Sequence, residues 1–352
     1  MKKILFLLIF AVPLTMNAQI TKRVLFIGNS YTQVNDLPGT IKTLALECGD
    51  TLDYQESVPG GSTFQSHLSN ATSTALIDGG DYDIVVLQEQ SQLPSFPDDQ
   101  VESECFPYAR QLCERIRTAN PDANIAFYMT WGRKNGDASN CPYFPPLCTY
   151  EGMDSLLYLR YTMMAETNHA ILSPVGRVWH VLRDSHPEIE LYNADGSHPS
   201  PAGTYAAAVT FYTILFLKSP ACITNSLSID EASAEIIRET VQTVVYDSLA
   251  FWYRYAVTTD GIHEEELEGG TLLVYPNPVR DICHLSLRNI SVHSSMEVRV
   301  LDACGKSVLS QPMSSYAAQI DFSTLPSGVY FIQTVADGQL LATGKVIKIK
   351  EP

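Results

Sequence analysis

Residues 24–30 read Val-Leu-Phe-Ile-Gly-Asn-Ser, so four apolar residues stand directly before three turn-forming ones. A short apolar run that is bounded by turn residues predicts a buried strand. A second run, Ile84–Leu87, is wholly apolar and mostly β-branched, which is typical of a strand covered on both faces. Together the two runs predict the centre of a parallel sheet.

Strand-like and helix-like segments alternate from residue 20 to residue 255. Regular alternation implies βαβ units, and hence a mostly parallel sheet with helices on both faces. The sequence therefore predicts an α/β fold, a three-layer α/β/α sandwich. Strands are predicted over residues 24–27, 52–58, 84–87, 125–129 and 170–173. Helices are predicted over residues 37–48, 63–77, 98–118, 153–168, 175–184, 199–217 and 228–255.

The character of the chain changes at residues 261–270, which are polar, acidic and end in two glycines, a composition typical of a linker. Beyond them, several runs alternate in polarity, are rich in β-branched residues and are separated by turn pairs. This pattern predicts a small all-β sandwich of roughly 80 residues. The strand-like runs are residues 283–287, 297–301, 329–334 and 345–349.

The first residues have the pattern of an export signal. Lys2 and Lys3 precede an apolar run over residues 4–14, and small and polar residues follow, with cleavage expected after Ala18 or Gln19. The alternative is a buried first strand. We therefore assign residues 1–19 to a signal peptide, 20–260 to the α/β domain, 261–271 to the linker and 272–352 to the β-sandwich. We expect no transmembrane span in the mature chain, because residues 206–217 are apolar but too short.

The 352-residue chain has a formal net charge of −16, and 45% of its residues are hydrophobic. Such a composition is typical of a globular protein. An acidic surface repels phosphate backbones, so we expect no nucleic-acid partner.

Eight cysteines occur in this exported chain, and an oxidising compartment allows disulfides. Cys141 and Cys148 are the best local candidates, because they would close a proline-rich loop. Cys105 and Cys113 would lie roughly 12 Å apart on one helix, which is too far to bridge. The cysteine spacing does not match paired zinc clusters. The histidines at 67, 169, 180 and 186 show no metal-ligand spacing either, and we interpret them as structural.

Ser30 follows the first predicted strand and precedes a helix, so its hydroxyl would lie at the carboxyl end of the sheet. A serine there can act as a nucleophile, and its own backbone N–H can help to bind an oxyanion. The alternative is a serine that caps the helix.

A second motif occupies residues 193–199, Asn-Ala-Asp-Gly-Ser-His-Pro. A histidine with a pKa of about 6.5 can serve as a general base near neutral pH. Asp195, three residues before His198, can bond to the other ring nitrogen and hold the tautomer. An aspartate cap beside a surface histidine is the alternative.

Together the two motifs resemble the SGNH/GDSL hydrolase family. In that family Gly-Asp-Ser follows the first strand and Asp-x-x-His precedes the last helix. Here residues 28–30 are Gly-Asn-Ser, with Asn29 in place of the usual aspartate, and residues 195–198 match fully. The resemblance covers residues 20–255. It implies a Ser30–His198–Asp195 triad and an SGNH/flavodoxin-like sheet.

The family also supplies two oxyanion donors besides the serine N–H: a glycine after the second strand and an asparagine after the third. Residues 59–62 offer Gly60 or Gly61 for the first donor. The third block departs from the pattern, since residues 87–92 read Leu-Gln-Glu-Gln-Ser-Gln. Counting from the strand places Gln92 at the asparagine position, while Gln90 and Gln88 remain open.

The resemblance implies a secreted serine esterase that acts on O-acyl esters, with O-acetyl esters on carbohydrate as the first candidate, and needs no metal or organic cofactor. Asn29, Trp131, Tyr143 and Phe144 are candidate pocket residues, since aromatic rings can stack on a sugar, although ordinary packing is the alternative. One other function is a non-catalytic glycan-binding or adhesion protein on the same scaffold. Another is a lipase or phospholipase, which would need an exposed apolar patch.

The C-terminal segment resembles the type A sorting domain of the type IX secretion system. The matching stretches are 274–278 (Val-Tyr-Pro-Asn-Pro), 325–332 (Leu-Pro-Ser-Gly-Val-Tyr-Phe-Ile) and the basic end at 345–348. The resemblance implies a Bacteroidetes-type, Gram-negative host, a partner in the type IX machinery, and passage through the periplasm to the outer-membrane surface or the medium. A carbohydrate-binding sandwich is the alternative.

Overall fold

Five strands form one parallel sheet in the computed structural model. They are β1 (Thr21–Ile27), β2 (Thr51–Ser57), β3 (Ile84–Leu87), β4 (Asn124–Tyr128) and β5 (Ile171–Ser173). Their order across the sheet is β2-β1-β3-β4-β5, so β1 has β2 on one side and β3 on the other. In open parallel sheets, ligands bind at the carboxyl ends of the strands where the winding changes direction. The end of β1 is such a place.

The structure describes residues 19–256, 271–275, 279–288, 296–302, 305–313, 317–336 and 339–349. The predicted export signal up to residue 18 and the predicted linker at 261–270 lie outside the described residues. The first unit of the chain ends at residue 257 and the second begins at residue 258.

Two groups of helices cover the sheet, and they confirm the predicted three-layer sandwich. α2, α8, α9 and α10 pack on one another, while α3 to α7 form the second group. The helices are α1 (Ser30–Gln33), α2 (Leu37–Glu47), α3 (Phe64–Ser69), α4 (Ala71–Gly79), α5 (Asp98–Glu104), α6 (Phe106–Ala119), α7 (Tyr150–Thr167), α8 (Val175–Ser185), α9 (Pro201–Phe216), α10 (Glu231–Val244) and α11 (Leu249–Trp252).

The sheet and the longest apolar helix form the core of this unit. All four residues of β3 and the last four of β1 are buried. From Gly203 to Phe216 every residue of α9 is buried as well, so this helix passes through the interior rather than along the surface. Burial on both faces explains why these segments are apolar without alternation.

Three predicted helices are interrupted. The helix expected over residues 63–77 breaks at Asn70, whose side chain caps α4 by accepting a hydrogen bond from the Ser73 N–H at 3.0 Å. The helix expected over 98–118 breaks at Cys105, because Pro107 in the first turn of α6 has no N–H to continue the helix. The helix expected over 228–255 stops at Val244 and resumes only as the short α11.

The second unit is an antiparallel β-sandwich, as predicted. One sheet has the order β10-β7-β6 and the other β12-β11-β8-β9. Side chains from both sheets, among them Cys283, Val298 and Ile332, are buried in one core. The strands are β6 (Thr271–Tyr275), β7 (Ile282–Arg288), β8 (Met296–Asp302), β9 (Ser307–Met313), β10 (Ala317–Asp321), β11 (Gly328–Ala336) and β12 (Gln339–Lys348).

Two disulfides join parts of the first unit. Cys141 and Cys148 are bonded, which confirms the predicted local pair. Cys48 and Cys222 are also bonded across 174 residues of sequence, a pairing that spacing alone does not indicate. Within the described chain Cys105 and Cys113 form no disulfide, and both are buried. No helix among the described residues is long and apolar enough to span a bilayer.

Candidate active site

The nucleophile turn connects β1 to α1. Ser30 is the first residue of α1, and Asn29 caps the helix by accepting a hydrogen bond from the Tyr31 N–H at 3.2 Å. Position 28 requires glycine, because a Cβ there would lie 2.7 Å from Thr32 Oγ1 and 2.8 Å from Gln88 Oε1. The tight turn thus holds the Ser30 hydroxyl at the carboxyl edge of the sheet.

The structure brings the predicted triad residues together. His198 Nε2 lies 2.8 Å from Ser30 Oγ, and His198 Nδ1 lies 2.5 Å from Asp195 Oδ2. Ser30 and His198 are 168 residues apart in sequence. A hydroxyl, an imidazole and a carboxylate in this order can activate the hydroxyl for nucleophilic attack.

A tight turn holds the Asp195 carboxylate in place beside His198. Asp195 Oδ1 accepts hydrogen bonds from the N–H groups of Ser197 and His198, both at 3.0 Å. Gly196 has a φ of +67°, a backbone conformation that glycine adopts without strain. Partial burial alone would raise the pKa of Asp195, but hydrogen bonds from the His198 ring and from these N–H groups outweigh it and lower the pKa. Asp195 is therefore a stable anion beside the imidazole.

Stacked aromatic rings pack beside the turn at residues 193–199, which carries His198. Trp131 stacks between Tyr31 and Trp179, with ring centroids 4.8 Å and 3.6 Å away. Its indole N–H donates to the Ser197 carbonyl at 3.1 Å. Tyr31 also reaches the turn, since its hydroxyl lies 2.7 Å from Ser197 Oγ. Trp131 is fully buried, so its prediction as a sugar-stacking residue is wrong, because both ring faces are already covered.

The other predicted pocket residues differ in exposure. Asn29 is buried, and its side-chain amide donates to the Ser62 carbonyl at 2.9 Å, so its assignment to the substrate pocket is also wrong. Tyr143 is 86% exposed. Phe144 is half-buried against the core of the unit. The roles of Tyr143 and Phe144 in substrate binding stay predictions.

Gln88 cannot serve as the oxyanion donor, which corrects one of the three glutamine alternatives. Its side chain is fully buried, and its amide N–H groups already donate to Asn29 Oδ1 at 2.9 Å and to the Glu89 carbonyl at 2.5 Å. Its carbonyl oxygen accepts from the Asn29 N–H and the Thr32 hydroxyl, both at 3.0 Å. All of these bonds shape the nucleophile turn, so Gln88 positions Ser30.

Gln90 and Gln92 are half-buried and bonded to each other. The Gln90 amide donates to Gln92 Oε1 at 3.1 Å, and its own oxygen accepts from the Gln92 N–H at 2.8 Å. The Gln92 amide donates to Asp137 Oδ2 at 2.5 Å, which uses one of its two hydrogens. The choice between these two glutamines as oxyanion donor stays open.

Gly60 and Gly61 form an exposed turn that the Ser62 N–H closes by donating to the Pro59 carbonyl at 3.2 Å. Neither glycine N–H donates to another group within the described chain. This turn is tied to the nucleophile turn through the bond between Asn29 and the Ser62 carbonyl. Which glycine supplies an oxyanion donor stays open.

One buried acid was not singled out by the sequence analysis. Glu89 lies two residues after the end of β3 and is fully buried. Burial raises its pKa to about 8, against hydrogen bonds from the Gln90 and Phe64 N–H groups and from the Cys105 thiol that lower it. A charged residue next to a wholly apolar strand was the available signal. No group of three or more His, Cys, Asp or Glu side chains among the described residues could hold a metal ion.

Several solved structures are similar to the first unit. A DUF4886 family protein from Bacteroides uniformis has 19% identity and a TM-score of 0.56 over 68% of this chain and 97% of its own, which shows the same fold. A candidate SGNH hydrolase from Slackia heliotrinireducens has 26% identity and a TM-score of 0.46 over 55% and 97%. The acetyl xylan esterase AlAXEase has 13% identity and a TM-score of 0.41 over 54% and 98%.

A search of curated proteins found no match to this chain. Residues 273–350 match the family described as "Secretion system C-terminal sorting domain". The match confirms the resemblance predicted for the C-terminal segment. The chain therefore carries a type IX sorting domain, which indicates export to the cell surface or secretion.

Proposed function

We propose that this protein is a serine esterase with Ser30 as nucleophile, His198 as general base and Asp195 as the group that orients the base. The observation that carries the proposal is the continuous chain of hydrogen bonds from Ser30 Oγ through the His198 ring to Asp195, with distances of 2.8 Å and 2.5 Å. Because its pKa is lowered, Asp195 stays negatively charged over the pH range in which a histidine acts as a base.

In the first half-reaction, His198 Nε2 takes the hydroxyl proton while Ser30 Oγ attacks the ester carbonyl carbon. The N–H groups of Ser30 and of Gly60 or Gly61 stabilise the resulting oxyanion. His198 then passes its proton to the leaving alcohol, and an acyl-serine remains. In the second half-reaction, His198 activates a water that attacks the acyl carbon, so that the acid is released and Ser30 is restored.

The surroundings of the triad support a polar alcohol as leaving group. A cleft of about 370 Å³ adjoins Asp195. It is lined by amide and charged side chains, including Asn135, Asn193 and the paired Lys134 and Glu190. Such a lining offers hydrogen bonds to the hydroxyl groups of an alcohol that is bound beside Asp195. Together with export from the cell, this favours O-acyl, above all O-acetyl, esters of carbohydrates.

The test is hydrolysis of short acyl nitrophenyl esters and of acetylated oligosaccharides by the full chain. We expect Ser30→Ala and His198→Ala each to reduce kcat by at least about 10³-fold. A fluorophosphonate should label the wild type and leave Ser30→Ala unlabelled, since only an activated serine reacts. Equal rates for wild type and both variants across ester lengths would contradict the proposal and favour a glycan-binding role instead.

A further inference from the structure

Glu89 is a fully buried carboxyl group that the proposed reaction does not use. Both of its oxygens accept from the Phe64 N–H at 3.1 Å, and Oε1 accepts from the Gln90 N–H at 2.6 Å. Phe64 begins α3, directly after the loop that holds Gly60 and Gly61. Glu89 therefore joins the loop after β2 to the segment after β3.

This bridge completes a ring of hydrogen bonds among three loops. The loop after β1 is bonded to the loop after β2 where the Asn29 amide donates to the Ser62 carbonyl at 2.9 Å. It is bonded to the segment after β3 through Gln88, whose amide donates to Asn29 Oδ1 at 2.9 Å. Glu89 closes the third side through the Phe64 N–H. The ring runs through residues adjacent to Ser30 and close in sequence to the two candidate glycines.

We propose that Glu89 is a positioning residue of the esterase: by bridging the Phe64 and Gln90 N–H groups, it fixes the glycine loop relative to Ser30. The expected effect of Glu89 on the rate rests on the proposed esterase function. Hydrogen-bond donors stabilise an oxyanion only if they are held within a fraction of an ångström, so a loose glycine loop lowers kcat more than it raises KM.

Among Asn29, Gln88 and Glu89, only Glu89 can change its charge. The titratable groups that face it are the Cys105 thiol, at the junction of α5 and α6, and the Tyr161 hydroxyl of α7. Arg160 on α7 acts on the same thiol. Because bonds from N–H groups to a carboxylate are stronger than bonds to the neutral acid, the bridge tightens when Glu89 ionises. Its pKa of about 8 places that change within the accessible pH range.

The experiment compares wild type, Glu89→Gln and Asp50→Asn as full chains. Asp50 is the matched control, since it is a fully buried carboxylate paired with Lys218 just before β2, at the opposite edge of the sheet. Above pH 8, where Glu89 of the wild type is ionised, we expect Glu89→Gln to lower kcat on a nitrophenyl ester by about 10- to 100-fold, with KM within about threefold of wild type. In wild type kcat should rise in a step near pH 8, and that step should be missing in Glu89→Gln and present in Asp50→Asn.

Amide hydrogen exchange at Ser62, Thr63, Phe64 and Gln90, whose N–H groups are all hydrogen-bonded, supplies a readout that needs no activity. Above pH 8 we expect exchange at least about tenfold faster in Glu89→Gln than in wild type and Asp50→Asn. Unchanged exchange in folded Glu89→Gln overturns the proposal, even if the chain hydrolyses no ester and the proposed function fails. If Glu89→Gln does not fold, wild-type exchange at Phe64 decides: corrected for its intrinsic pH dependence, it should slow through pH 8, and a flat profile overturns the bridge.

Discussion

Two segments beside the nucleophile each carry a carboxyl group, and their environments are opposite. In the turn at residues 193–199, the Asp195 side chain is 49% exposed and receives hydrogen bonds that lower its pKa. In the segment at residues 88–92, Glu89 is fully buried and its pKa is about 8. Closeness to the nucleophile therefore does not set the charge of an acid. The balance between desolvation and hydrogen bonds decides it. Hydrogen bonds prevail at Asp195, which is an anion, whereas desolvation prevails at Glu89, which is largely neutral at pH 7.

The largest effect should come from removing the charge of the exposed acid. We expect Asp195→Asn to lower kcat by about 10³- to 10⁴-fold, because an amide can donate to His198 Nδ1 and so stabilise the tautomer that cannot accept the Ser30 proton. Steady-state kinetics on a nitrophenyl ester at pH 7.5 measures this loss. A larger loss in Asp195→Asn than in Glu89→Gln would show that the turn at residues 193–199 needs a negative charge. The segment at residues 88–92 would then need the hydrogen bonds of the Glu89 bridge.

Asp122→Asn is the control for Asp195→Asn, since Asp122 is an exposed aspartate in the turn before β4. It should keep wild-type kcat. A fall of less than about tenfold in Asp195→Asn would contradict the role of a fixed anion in this turn.

The next largest effect should identify which glutamine of the segment at residues 88–92 donates to the oxyanion. If Gln92 donates to the oxyanion, Gln92→Ala should lower kcat by about 10²- to 10³-fold. Gln90→Ala is the matched variant, because each of the two side chains is half-buried and bonded to the other. Nitrophenyl ester kinetics of both variants assign the donor. Losses below about threefold in both would leave only backbone N–H groups in the oxyanion hole.

The turn and the segment also differ in how much the sequence predicts. Asp195 and His198 are three residues apart, so a single turn brings them together and their spacing alone suggests their contact. The nucleophile has an equally local signal in the sequence: a strand, a glycine and a helix start at residues 24–33. Local rules of this kind are readable from sequence, and the structure brings these three predicted residues together.

The segment at residues 88–92 is organised by distant partners, which a sequence pattern does not contain. Gln88 resembles a candidate donor in sequence, but its bonds to Asn29 and Thr32, 59 and 56 residues away, turn it into a structural residue. Trp131 likewise follows a strand as a pocket residue would, yet tertiary stacking buries it. The direction of a side chain after a strand depends on the residues that surround it in space, and the sequence alone does not identify those residues.

A smaller effect separates structural from functional glutamines within the segment. We expect Gln88→Ala to lower the free energy of unfolding by about 2–3 kcal/mol, because it leaves the Asn29 N–H and other buried groups unpaired and opens a cavity. Urea denaturation followed by circular dichroism measures it. Gln90→Ala, at a half-buried site, should cost less than about 1 kcal/mol. Equal costs would mean that Gln88 does not hold the nucleophile turn.

The smallest effect contrasts two histidines that each contact the nucleophile turn, His67 through the Gly28 carbonyl and His198 through the Ser30 hydroxyl. His67 is fully buried, and its Nε2 lies 2.8 Å from the Gly28 carbonyl, which can only accept, so Nε2 carries the hydrogen. Nδ1 then accepts from the Ser73 hydroxyl at 2.8 Å, and the ring is neutral. Burial lowers the pKa of His67, although the bond to Gly28 acts to raise it. His198 instead is one-third exposed.

Because the pKa of His67 is lower in the folded chain than in the unfolded one, the unfolded chain takes up a proton first as the pH falls below about 6.5. His67 therefore destabilises the fold progressively toward acid and has no such effect above pH 7. Urea denaturation at pH 7.5, 6.5 and 5.5 should show a shallower loss in His67→Gln than in wild type. The two slopes should differ by at most about 1.4 kcal/mol per pH unit, the limit for one proton. Parallel curves for His67→Gln and wild type would mean that the buried ring takes up its proton in the folded chain as readily as in the unfolded one.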